Sequence, residues 1–119
     1  MQRNYRFRLY PTAAQELALT GMLGAFCDLY NAALHERIDC YRKTGRSIGY
    51  YDQATQLKAV RAVDERLAGF SFSAQQQLLR RVDKAFKAFF RRLKRGDKPG
   101  FPRFQAKARF DSLEFRVGD

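Results

Sequence analysis

Arg80, Lys84, Lys87, Arg91 and Lys94 recur at steps of four, three, four and three residues, a spacing that sets five cations on one face of a helix. A row of this kind breaks no bonds. It neutralises a row of anions and releases their counterions. Arg81, Arg92 and Arg95 widen the face, and Lys98, Arg103, Lys107 and Arg109 continue the charge beyond the helix. The thirty residues from Arg80 to Arg109 hold twelve of the chain's twenty-three Lys and Arg and two acids, Asp83 and Asp97, which is +10 of the total formal charge of +11. Residues 1–79 carry +3 and residues 110–119 carry −2. A solvated helix face normally interleaves both signs, and this one does not. The concentration predicts a polyanionic partner, nucleic acid above all.

Other residue types capable of chemistry are sparse. Cys27 and Cys40 lie thirteen residues apart without a CxxC spacing, and His35 is the one histidine. Zinc needs a tighter and larger ligand set, so all three are predicted to be packing or partly exposed helix residues, with no metal and no cofactor. At 119 residues and 45% apolar content the chain suits one domain with a modest core, and eleven Phe and six Tyr favour folding over disorder. No run approaches the roughly twenty apolar residues of a membrane span. Met1-Gln2-Arg3-Asn4-Tyr5-Arg6 lacks the apolar stretch of a secretory signal, so the expected location is the cytoplasm, in association with the nucleoid.

The elements that must position the basic face follow from periodicity. Tyr5, Phe7 and Leu9 alternate with Arg6 and Arg8, a strand pattern stopped by Pro11. Thr12 and Gln15 form a capping box ahead of a long helix whose apolar positions are Leu19, Leu23, Phe26, Tyr30, Ala33, Leu34, Ile38 and Tyr41, with Gly45 as its stop. Gly21 and Gly24 weaken that helix, which predicts a close crossing by another element there. Residues 45–51 read as a loop, and Asp52 reads as the N-cap of a second helix carrying Leu57, Val60, Val63 and Leu67 and closed by Gly69.

Ser73 and Gln76 form a second capping box, opening a third helix with the stripe Leu79, Val82, Phe86, Phe89 or Phe90, and Leu93, and ending at Gly96. Its basic face would be carried on a rod on the order of 30 Å long. The two prolines of Asp97-Lys98-Pro99-Gly100-Phe101-Pro102-Arg103-Phe104 keep that segment extended. Leu113, Phe115 and Val117 alternate again as a strand. Two lone strands make no stable sheet, so they are expected to belong to a barrel or sheet completed by further strands, with the helices inserted into it.

These residues together resemble the N-terminal region of the TnpB (OrfB) family, transposon-encoded proteins related to type V CRISPR effectors. The likeness is carried by Phe7-Arg8-Leu9-Tyr10-Pro11-Thr12 with Gln15, Tyr30-Asn31, Gly49-Tyr50-Tyr51-Asp52, Ala85-Phe86-Lys87-Ala88-Phe89-Phe90-Arg91-Arg92 and Lys98-Pro99-Gly100-Phe101-Pro102-Arg103-Phe104. It implies a mainly α unit: a recognition lobe of three helices, or four, inserted between two strands of an incomplete wedge β-barrel of the oligonucleotide-binding type. Residues 1–11 would be the first strand, 12–96 the lobe, and 97–119 an extended basic linker and return strand.

Family proteins are RNA-guided DNA endonucleases whose RuvC-like nuclease needs clustered carboxylates and divalent metal. The carboxylates Asp97, Asp111, Glu114 and Asp119 do not match them, so the resemblance implies a non-catalytic module that stops before the nuclease, with guide RNA and double-stranded DNA as partners. No membrane and no small-molecule substrate are implied. Tyr50 matches a family position near the target-adjacent DNA motif, Tyr51 is its neighbour, and Gln76 matches another such position. Gln can pair bidentately with adenine, although Gln76 also fits the capping box and Tyr50 a packed loop aromatic. Arg80, Lys84, Lys87, Arg91, Lys94, Lys98, Arg103, Lys107 and Arg109 would track phosphates. Phe101 and Phe104 are read as anchors to the barrel rather than base-stacking platforms. A stand-alone DNA-binding accessory protein or repressor derived from a transposase gene is the alternative. A basic amphipathic helix also suits anionic lipid, but the capped, core-forming neighbours argue against that use.

Overall fold

The computed structural model describes residues 13–106. These form four helices, α1 (Ala13–Thr44), α2 (Tyr50–Val63), α3 (Glu65–Ala68) and α4 (Phe72–Lys94), with no strand among the described residues. The strand expectations at 5–9 and 113–117 and the Thr12–Gln15 capping box lie outside what is described. α4 packs across both α1 and α2, and α3 packs on α2.

In α1 the apolar spacing does its expected work from the second half onward: Phe26, Tyr30, Ala33, Leu34 and Ile38 are buried, and Tyr41 and Leu23 pack against them. Gly45, at φ +71, takes the left-handed turn that ends the helix, its N–H donating to the Tyr41 carbonyl at 2.9 Å. The crossing expected at Gly21 and Gly24 is not found among the described residues, where a Cβ at either would meet no atom within 4 Å. Their neighbours Met22 and Leu23 are partly buried against the core.

The second helical segment differs from expectation in two ways. Gly49, extended at φ −95 and ψ 173, is the N-cap, and Asp52 sits one turn inside with its carboxylate accepting the Gly49 N–H at 3.1 Å. Tyr50 and Tyr51 therefore lie on the first turn of α2 rather than in a loop. α2 then stops at Val63. Asp64 turns the chain and caps α3, accepting the N–H groups of Arg66 at 3.0 Å and Leu67 at 3.2 Å. The break lets Leu67 rejoin the core beside Leu57, and it leaves Val60 and Val63 exposed, Val63 by 85%. Arg61 closes the corner by donating to the Leu67 and Phe70 carbonyls at 2.9 Å each and to Gln75 Oε1 at 2.8 Å.

α4 starts two residues earlier than the capping-box reading. Ser71 is its N-cap, its hydroxyl accepting the Ala74 N–H at 3.2 Å, which releases Gln76 from a capping role. Leu78, Leu79, Val82, Phe86 and Phe89 are buried, Phe90 is half-buried, and Leu93 emerges into solvent at the far end. Gly96, at φ +93, completes a Schellman stop in which the Gly96 N–H meets the Leu93 carbonyl and the Asp97 N–H meets that of Arg92, both at 3.0 Å.

A buried polar knot ties α1, α2 and α4 together. Arg37, 2% exposed, donates Nε to Gln53 Oε1 at 2.7 Å and an Nη1 proton to Asp83 Oδ1 at 3.0 Å, and its guanidinium lies 5.7 Å from the Phe86 ring centre. Gln53 in turn donates to the Ala33 carbonyl at 2.9 Å. Beyond α4 the chain runs back over α1 without regular structure. Phe101 stacks on Phe89 with centroids 5.0 Å apart, and the Asn31 side-chain amide grips Gln105 by both backbone groups, at 2.9 and 2.8 Å. The anchor expected of Phe101 is thus made to helices α1 and α4. Phe104 makes no such anchor and is 53% exposed.

Candidate nucleic-acid interface

The amphipathic register that buries Val82, Phe86 and Phe89 turns Arg80, Lys84, Lys87, Arg91 and Lys94 to the opposite side, where all five are exposed. From Arg80 to Lys94 the row runs about 21 Å at 1.5 Å per residue. Its members are not equivalent. Lys87 is held by Asp83, Nζ to Oδ2 at 3.0 Å, and the Arg80 guanidinium lies over the Tyr50 ring, 4.1 Å from its centre. Among the described residues Lys84, Arg91 and Lys94 have no acidic partner within ion-pair distance. Burial opposes ionisation of Asp83, but hydrogen bonds from Lys87 and Arg37 outweigh it and hold the carboxyl below the ordinary carboxylate range.

The flanking cations divide. Arg92, Lys98 and Arg103 are exposed, and Arg95 is exposed but clasped by Asp97 at 2.6 Å. Arg81 does not widen the row. It is half-buried against α1, 5.9 Å from the Tyr30 ring centre, where burial raises the Tyr30 pKa and Arg81 partly offsets the rise. Lys107 and Arg109 lie outside the described residues.

At the N-terminal end of the row, α2 and α4 enclose a shallow groove of about 290 Å³ lined by Tyr50, Tyr51, Thr55 and Lys58 on one side and Gln76 and Arg80 on the other. Four residues singled out in the sequence, Tyr50, Tyr51, Gln76 and Arg80, therefore share one surface although they come from two helices. Tyr51 is 79% exposed and meets Tyr50 edge to face at 5.3 Å. The Thr55 hydroxyl donates to the Tyr51 carbonyl at 2.9 Å. Lys58 was missed. Its signal was present in the spacing Tyr51, Thr55, Lys58, one helix face, but reading Tyr50 and Tyr51 as loop broke that register. Gln75, adjacent to Gln76, is fully buried and donates to the Leu67 carbonyl at 2.8 Å, so the two glutamines have separate roles.

Cys27 is buried with its Sγ 3.3 Å from the Gln105 carbonyl, Cys40 is half-buried, and no cluster of three or more His, Cys, Asp or Glu side chains occurs among the described residues. No helix among them is long and apolar enough to cross a membrane.

The arrangement is that of a helical unit with one cationic face and a mixed aromatic and amide groove at its end, a class suited to polyanions. The helix-turn-helix domain model of the OrfB_IS605 family matches residues 1–46, a segment that makes up less than half of the chain. Its described part, from Ala13 onward, is the uninterrupted α1 and the Gly45 stop, whereas the groove and the basic row lie in residues the match does not cover. No curated protein matches the chain.

Proposed function

We propose that this chain is the nucleic-acid-binding, non-catalytic N-terminal module of a TnpB-like RNA-guided DNA endonuclease. The groove reads a short duplex motif beside the target, and the basic face, continued by Lys98, Arg103, Lys107 and Arg109, holds the phosphates of guide RNA and heteroduplex. The observation that carries this reading is the convergence of Tyr50, Tyr51 and Gln76 with Arg80 at the head of a row of cations. Such a site has an amide for a base edge, rings for a thymine methyl or a stacked base, and charge for the backbone beside them. Base pairing then supplies most of the sequence choice, so the protein needs only a short reading surface. The terminal strand patterns belong on this reading to a wedge barrel around the helical lobe, divalent metal belongs to a nuclease domain, and the working location is the nucleoid.

The helix-turn-helix description of the matching family favours a second reading, a DNA-binding accessory protein or repressor that uses no guide. Sequencing of RNA crosslinked to the chain in its native cells separates the two. A transposon-end transcript enriched over total RNA is expected, and crosslinking to DNA alone contradicts the guide role.

A further inference from the structure

A second, smaller recess lies away from the groove, where the returning segment crosses the later half of α1. It measures about 230 Å³ and is walled by His35, Asp39 and Arg42 from α1 and by Phe101, Pro102 and Phe104 from the segment. The segment is fixed on both sides of it. Upstream, Phe101 stacks on Phe89, meets Tyr41 edge to face at 6.1 Å, and carries the Arg42 guanidinium on its ring at 5.0 Å. Downstream, Gln105 is held through both backbone groups by Asn31. Pro102 has a fixed φ between those two holds. The Phe104 ring is thus presented to solvent by a braced backbone, although it contributes nothing to the core.

A braced, exposed ring has little ordering entropy left to lose on binding, which is the condition under which stacking yields affinity. The rim fixes what kind of ring would stack. Arg42 is exposed on the wall of the recess, and Asp39, the acid on that wall, is already paired with Lys43 at 3.0 Å. The recess therefore joins an unneutralised cation to aromatic walls, complementary to a planar group carrying a phosphate. The geometry points to a subsite for one unpaired nucleotide: its base stacks on Phe104 and its phosphate meets Arg42. Bases in a duplex are stacked on each other and cannot enter, so the subsite takes single strands.

This inference rests on the nucleic-acid reading above, but it fails separately. The chain contains no Trp, so Phe104→Trp installs a single reporter that keeps a stacking surface. Titrating the full 119-residue chain with a ten-nucleotide oligo(U) or oligo(dT) is expected to quench that emission, and to leave it unchanged when a blunt duplex binds. Phe104→Leu is expected to weaken oligo(U) binding between about fivefold and about a hundredfold, the range of one stacked base, and to leave duplex affinity within twofold. Far-ultraviolet circular dichroism confirms that both variants keep the helices. Unquenched emission at saturating oligo(U), or equal losses for duplex and single strand in Phe104→Leu, overturns the subsite while the basic face stands. Loss of all nucleic-acid binding by the native chain overturns both.

Discussion

Removing the carboxylate of Asp83 should destabilise the fold far more than removing the lysine it holds at the surface. Asp83 serves two cations at once, Oδ1 to Arg37 and Oδ2 to Lys87, each at 3.0 Å. The two bridges differ in surroundings. Lys87 is 74% exposed, so its pair is screened and Lys87→Ala should cost less than about 1 kcal/mol. Arg37 is buried, its other side-chain partner Gln53 is neutral, and one of its terminal nitrogens has no hydrogen-bond partner among the described residues. In Asp83→Ala the buried guanidinium keeps its charge without a counter-charge, a situation that costs about 3 kcal/mol or more.

For a domain of this size about 3 kcal/mol corresponds to a fall in Tm of roughly 10–15 °C. Arg37→Met should cost less than Asp83→Ala, because Asp83 keeps Lys87, and the double variant Arg37→Met/Asp83→Ala should be more stable than Asp83→Ala alone. Thermal melts followed by circular dichroism measure all four. The sign of the pH effect follows from the depressed pKa of Asp83. Its stabilisation is present above the unfolded carboxylate value near about 4 and is lost as pH falls through the lower folded value, so native and Asp83→Ala melts converge in acid. An Asp83→Ala melt no lower than that of Lys87→Ala at pH 7 would refute the view of Arg37 as a buried charge dependent on Asp83.

Further consequences are open to direct measurement. Gly96→Ala puts a side chain on a φ of +93 at the end of α4 and should cost about 1 kcal/mol in chemical unfolding; no loss would contradict the Schellman stop. Asn31→Leu removes both hydrogen bonds to Gln105 and should speed amide exchange of Gln105 well over tenfold while exchange in α4 is unchanged; an unaltered Gln105 rate contradicts the clasp. Gln76→Ala should alter preference among short duplex motifs, seen by selection from a randomised library, with affinity for random duplex within about twofold. The same motif preference in native and variant removes Gln76 from the reading surface.

Legibility in the sequence tracked how local each cause is. α4 could be read from residue spacing because apolar and cationic residues separate cleanly around one helix, and its stop at Gly96 needs only a glycine in the left-handed region. The start of α2 was misread because Asp52 fits an N-cap and an N3 position equally well, and the difference depends on whether Gly49 or Asp52 leaves the helical conformation. The break at Asp64 was hidden for a related reason: Val60, Val63 and Leu67 have helical spacing, and the exposure of Val63 follows from a turn that a polar side chain stabilises.

Arg37 gave no signal, since its partners lie 16 and 46 residues away on other helices. The groove was legible residue by residue but not as a shape. Tyr50 and Gln76 have no link in the sequence, and only the packing of α2 on α4 shows that they face one opening together with Arg80. Arg81 shows the converse, since by spacing it widens the basic face and by packing it belongs to Tyr30.

The cationic face of α4 is best tested by the salt dependence of duplex binding for the native chain and for Lys84→Ala/Arg91→Ala/Lys94→Ala. These three cations lack acidic partners among the described residues and lie opposite the core, so the variant should fold as the native chain does. Each phosphate contact contributes about 0.9 to the slope of log K against log salt, so the triple variant should flatten that slope by up to about 2.7. A slope equal to that of the native chain, with helix content intact, would mean that the face does not touch the phosphates.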